Sequence, residues 1–144
     1  MLTHRFSKPH QVDLRMNINE LSYSVIGASI KLHTVLGPGL LESAYETALV
    51  YELQNLGIPL RNQVPIPFSY QGQLQGIGFR TDLIVGEKVL VEIKSVEALA
   101  PVHFAQTLTY LRLLDFRLGL LINFNTIKLK DGINRIVNNF QDSG

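Results

Sequence analysis

Three residues in the middle of this chain have types and a spacing that suit phosphate chemistry: Asp82, then Glu92, then Lys94. They fall on two apolar runs, residues 78–85 and 89–95, separated by Gly86, Glu87 and Lys88. Such an arrangement predicts a β-hairpin with a short glycine-containing loop. Strand side chains alternate faces, so Glu92 and Lys94 share one face and Val91 and Ile93 the other. With a three-residue loop, Val85 pairs with Val89 and Asp82 stands opposite Glu92, their Cβ atoms roughly 5 Å apart. Two like charges facing each other across a ladder are destabilising unless something neutralises them. A divalent cation does so, and oxygen ligands without any cysteine suit Mg²⁺ or Mn²⁺. Lys94, one side chain further along the same face, is placed to hold a water or a phosphate oxygen beside that ion. The plainer alternative is an edge hairpin whose outer face carries three solvated charges.

The elements around the hairpin bear on that choice. Asn17 and Glu20 have capping-box spacing and open a helix with Leu21, Val25, Ala28, Leu32 and Val35 at helical intervals, ending at Gly37, Pro38 and Gly39. A second helix is predicted over residues 40–56, with Gly57 as its stop. It carries Glu42 and Glu46 one turn apart, with Tyr45 beside them. Glu42 also has a structural reason to be there, because a carboxylate in a first turn complements the helix dipole. His33, near the end of the first helix, has the matching explanation at a C-terminus. Pro59, Pro65 and Pro67 punctuate the approach to a strand ending near Tyr70 and mark it as a sheet edge. Pro101 opens a third helix to about residue 114, on which His103, Gln106 and Tyr110 stack along one face. Residues 117–124 form an apolar run suited to a strand buried on both faces, and residues 126–137 alternate as a further strand pair, or a short strand and turn. The order is that of an α/β fold with a mixed sheet. Residues 1–16 are polar and aperiodic, an expected flexible N-terminal arm, and residues 17–140 are expected to form a single domain.

Composition narrows the classes of function. In 144 residues, 46% hydrophobic and 17% charged, there is enough apolar material for one compact core. The absence of cysteine removes disulfide frameworks and zinc-thiolate sites, and fits a reducing cytoplasm. No apolar run approaches the ~18 residues that would cross a bilayer, and the first residues lack a signal-peptide apolar stretch. No serine sits in a nucleophile elbow, and no glycine pattern suits a nucleotide cofactor. The net charge of +1 means that affinity for a polyanion must come from local cations such as Arg80, Lys88, Lys94, Lys128, Lys130 and Arg135, together with bound metal.

Five separated segments, in order, resemble the PD-(D/E)XK nuclease superfamily and, more narrowly, the small bacterial GxxExxY proteins. They are Gly39 to Tyr45 with Glu42 between, Arg80-Thr81-Asp82-Leu83, Val91-Glu92-Ile93-Lys94, His103 to Tyr110 with Gln106 between, and Gly119 to Phe124. Thr81 stands where the superfamily's name has proline. The resemblance implies an αβββαβ nuclease core, a central mixed β-sheet flanked by helices. It implies that Asp82, Glu92 and Glu42 bind Mg²⁺ (or Mn²⁺), that Lys94 assists the attacking water, and that Gln106 and Tyr110, with Tyr45 and His103, support the site or bind substrate. The expected activity is metal-dependent hydrolysis of phosphodiester bonds in nucleic acid, DNA first, by a cytoplasmic protein with no membrane partner. The alternative is a non-catalytic module that binds nucleic acid or protein on the same fold. A homodimer is left open.

Overall fold

The computed structural model describes residues 16–139; the expected N-terminal arm, apart from Met16, lies outside the described residues. Helix α1 spans Ile18–Leu36. Its start is fixed by a capping box, in which the Asn17 side chain accepts from Glu20 N at 2.8 Å and Glu20 Oε1 accepts from Asn17 N at 2.9 Å. Gly37, at φ +69°, ends it. Helix α2 spans Glu42–Asn55, two residues shorter at its start than the apolar spacing predicts. The reason is that Leu40 N donates to the Tyr45 hydroxyl and Leu41 is extended, so neither joins the helix.

Five strands follow: β1 Leu60–Tyr70, β2 Gln73–Val85, β3 Val89–Lys94, β4 Leu118–Asn123 and β5 Ile133–Val137. Helix α3, Pro101–Leu114, links β3 to β4. The sheet order is β1-β2-β3-β4-β5, with β3 and β4 parallel and the other neighbours antiparallel. Strand β1 is the expected edge, but it runs through Pro65 and Pro67, which the prolines alone did not suggest. An edge strand has one row of N–H groups that needs no partner, and the register shifts around Pro67 absorb the irregularity. Of the two expectations for residues 126–137, the structure has the short strand and turn: a 3₁₀ turn, Leu129–Gly132, leads into β5. Gly132 is needed there, because a Cβ on it would lie 2.1 Å from the Asn123 carbonyl oxygen.

Helices α1 and α2 cover one sheet face. Leu21, Val25, Leu32, Leu49 and Leu53 pack there against Leu83, Val85, Val91, Ile93, Leu120 and Ile122, all buried. On the other face α3 lies close over β4, where a Cβ on Gly119 would stand 3.3 Å from Leu111 and Thr107. The result is a mixed five-stranded sheet flanked by helices. Among the described residues no helix is long and apolar enough to cross a membrane.

Candidate active site

The β2–β3 hairpin forms with the expected register. Val85 pairs with Val89, Ile84 with Leu90 and Leu83 with Val91. Gly86 and Glu87 both take positive φ, 59° and 56°, and Lys88 N donates to Val85 O at 3.1 Å, a turn whose twist suits the strands it joins. Leu21 also presses on Gly86, where a Cβ would come within 2.7 Å. Beyond Leu83 and Val91 the ladder stops, and side-chain carboxylates replace it. Asp82 Oδ2 accepts from the backbone N of Ile93 at 2.8 Å, and Glu92 Oε2 accepts from the backbone N of Asp82 at 3.1 Å. Each acid of the pair therefore grips the backbone of the strand opposite, which holds both carboxylates at the break.

Burial dominates the electrostatics. Glu92 is only 5% exposed, and loss of solvent, reinforced by the charge of Asp82, pushes its pKa up to about 7. Hydrogen bonds from Thr81 Oγ1, at 2.5 Å, and from Asp82 N work against that rise, as does the Lys94 charge. Asp82, half-buried, is also raised by burial. Its hydrogen bonds from Ile93 N and Gln63 and the Lys94 charge pull it back, and the Glu42 charge adds to the rise. Lys94 thus acts on both acids, and Glu42 on Asp82. Lys94 Nζ makes no hydrogen bond or ion pair among the described residues, so its ammonium is free for a ligand.

Glu42 comes from the first turn of α2, where its Oε2 accepts from Ser95 N at 3.3 Å, just past the end of β3. It reaches the site's edge without closing a cage: among the described residues no three His, Cys, Asp or Glu side chains are grouped to hold a metal ion. Asp82 and Glu92 thus stand as a carboxylate pair, with Glu42 a nearby charge that acts on Asp82. A pair still fits the hard divalent ion, because Mg²⁺ usually keeps several waters and takes one or two carboxylates plus phosphate oxygens. The oxygens needed are present, since no hydrogen bond reaches Glu92 Oε1 among the described residues, and Asp82 Oδ1 accepts only a 3.3 Å contact from Gln63.

Helix α3 brings Tyr110 to the same place. Burial, followed by the charges of Glu92 and Asp82, raises its pKa, and its ring stacks on Phe79 with centroids 3.8 Å apart and planes 9° from parallel. Gln106 lines a cleft beside that pair and makes no hydrogen bond among the described residues. Tyr45 and His103, expected to support the site or bind substrate, both make structural contacts. Tyr45 is wholly buried. Its hydroxyl donates to Gly37 O at 2.6 Å and accepts from Leu40 N at 3.1 Å, while its ring stacks on Phe124 at 4.7 Å; it ties down the loop from which Glu42 starts. His103 Nδ1 accepts from Ala100 N at 2.9 Å and so caps the start of α3, which removes that nitrogen from any substrate role. His33, buried, bonds the Phe124 carbonyl through Nε2 at 3.1 Å.

Two contributors went unseen in the sequence. Thr81 is buried and gives its hydroxyl to Glu92; a threonine directly before the acid Asp82 was the available signal. Gln63, on β1, adopts φ +50° and spans from Asp82 to Glu46, donating to Glu46 Oε1 at 2.8 Å. Its position depends on a backbone conformation rare for a side-chain-bearing residue, and no local pattern announces it.

A carboxylate pair, Glu92 buried and Asp82 half-buried, with an unpaired lysine beside it, stands on adjacent strands of a mixed sheet and is approached by a helix on either face. Comparison with known families makes this specific: the chain belongs to the PD-(D/E)XK nuclease superfamily, whose model matches residues 19–136. Members are typically nucleases and generally use divalent metal ions. Comparisons with curated proteins and with solved structures find no match.

Proposed function

We propose that this chain is a Mg²⁺- or Mn²⁺-dependent nuclease that hydrolyses phosphodiester bonds in DNA, built on the GxxExxY pattern of Gly39, Glu42 and Tyr45. The observation that carries the reading is the pair itself. A buried and a half-buried carboxylate are locked side by side, each by a backbone N–H of the strand opposite, with Glu92 lifted to about 7, an arrangement that costs stability unless a cation or a proton joins it.

Asp82 Oδ1 and Glu92 Oε1 are the oxygens that would hold the ion. When bound, it acidifies a water and stabilises negative charge on phosphate. The chain's own residues do the rest. Ile93 N and Asp82 N fix the orientation of the two acids, and Thr81 keeps Glu92 Oε2 turned away from the ligand side. Lys94, unpaired, orients the attacking water or a phosphate oxygen and offsets the site's negative charge as substrate approaches. Glu42 adds negative charge at the rim, and Tyr110 and Gln106 stand on the substrate side.

The test is cleavage of plasmid and linear DNA with either metal, repeated after chelation. Cleavage should require metal. Lys94→Ala should lose about a hundredfold or more in turnover while binding metal as the wild type does, and Asp82→Asn should weaken metal binding itself, read by calorimetry. A protein that binds DNA and metal yet cuts neither DNA nor RNA would instead be a binding module. With a net charge of +1, DNA affinity should fall only shallowly with salt.

A further inference from the structure

The cleft beside the carboxylates has a chemistry that selects its occupant. Its volume is about 490 Å³, and it lies between the β1–β2 hairpin and α3, with Phe68, Phe79 and Tyr110 as aromatic walls and Gln106 and Thr109 as polar ones. Phe68 can lie flat against β2 only because residue 78 is glycine; a Cβ there would come within 2.7 Å of the ring. The chain has no charged residue between Arg61 and Arg80, and none on α3 before Arg112, so the cleft offers a phosphate no ionic partner. It offers aromatic side chains beside the stacked Phe79–Tyr110 pair and, on Gln106 and Thr109, donors and acceptors that no hydrogen bond occupies among the described residues. That combination suits a neutral, planar, polar-edged group. The cleft lies near the acidic site, because Tyr110, which lines it and stacks on Phe79, falls within the field of both acids.

We propose that this cleft receives one unpaired nucleobase of the strand whose phosphate lies at Asp82 and Glu92, so that single-stranded or frayed nucleic acid is preferred over intact duplex. A base in a duplex is stacked and paired, and must leave the stack to reach a protein pocket, whereas in a single strand that cost is largely absent. Aromatic platforms bind bases with little regard to sequence, because every base has a π face. Neutral walls keep the backbone out of the cleft and leave it at the carboxylates and Lys94. The inference rests on the nuclease reading for the placement of the phosphate, but not for the binding of the base.

A single-stranded oligodeoxynucleotide carrying 2-aminopurine is the probe, since the chain has no tryptophan to interfere with its emission. With chelator present, wild type should quench the probe, and an abasic oligonucleotide should bind about tenfold more weakly. Tyr110→Leu should lose both effects and Tyr110→Phe should keep them. Gln106→Ala, at an exposed position, should weaken the intact strand severalfold without changing the abasic one, and it decides the matter should Tyr110→Leu fail to fold. Equal binding of abasic and intact strands, with no quenching, would overturn the proposal. If wild type with Mg²⁺ then cut duplex and single strand equally, the nuclease reading would stand alone. Quenching and abasic discrimination without cleavage in either metal would leave the cleft as proposed and remove the nuclease reading.

Discussion

Replacing Glu92 by glutamine should stabilise the metal-free protein at and above neutral pH and change it little in acid. The native carboxyl titrates near 7 rather than at the ordinary 4.5, because burial and the Asp82 charge oppose its ionisation. A carboxyl raised on folding contributes stability that is fully present below pH 4.5 and is lost as pH rises through 7. The loss amounts to about 3 kcal/mol by pH 8, at 1.36 kcal/mol for each unit of displacement. Glutamine keeps the shape and still presents an oxygen to Thr81 Oγ1 and Asp82 N, but has no charge to desolvate. Urea unfolding of both proteins in chelator, from pH 4 to 8, measures the difference directly. The gap should open between pH 5 and 7 and close when Mg²⁺ is restored to the wild type. A gap that stays constant across that range would refute the burial argument, and a gap of opposite sign at pH 8 would show that Glu92 is stabilised as the anion by contacts stronger than those described.

Thr81→Val should deprive Glu92 of a buried donor, moving the acidic limb of metal binding to higher pH and costing about 1–3 kcal/mol of stability, checked by calorimetric titration against pH and by urea unfolding. Tyr45→Phe should leave Leu40 N and Gly37 O unpaired, losing about 1–2 kcal/mol and lowering turnover without altering the pH profile, since the residue acts through the loop before Glu42. Gly132→Ala, remote from the carboxylates, should cost about 2 kcal/mol or more through the collision with Asn123 O while leaving metal affinity intact in the folded fraction.

The parts of the molecule governed by local rules were legible in the sequence. The hairpin register followed from alternation and loop length, the edge position of β1 from its prolines, the buried β4 from its unbroken apolar run, and α1 from its capping box. What the sequence could not place was decided by tertiary contact. Helical spacing places Tyr45 beside Glu42 and Glu46, but it cannot say that the ring goes into the core against Phe124. His103 shares a face with Gln106 and Tyr110, yet its place in the first turn of α3 gave it a backbone partner first. Facing charges at positions 82 and 92 were foreseen as an unpaired repulsion; the exchange of carboxylate for ladder was not, because it requires the strands to part after Leu83 and Val91.

That exchange gives the protein a built-in spectroscopic reporter. The amide protons of Asp82 and Ile93 are held not by carbonyls but by the two acids, so their chemical shifts and hydrogen-exchange rates depend on what else those acids bind. A proton arriving on Glu92 or an ion drawing charge from the pair weakens those bonds at once, while the neighbouring amides of Leu83 and Val91, inside the intact ladder, stay as they are. Two resonances in an ordinary amide spectrum would thus follow occupancy of the site during turnover, without a label on either the metal or the nucleic acid.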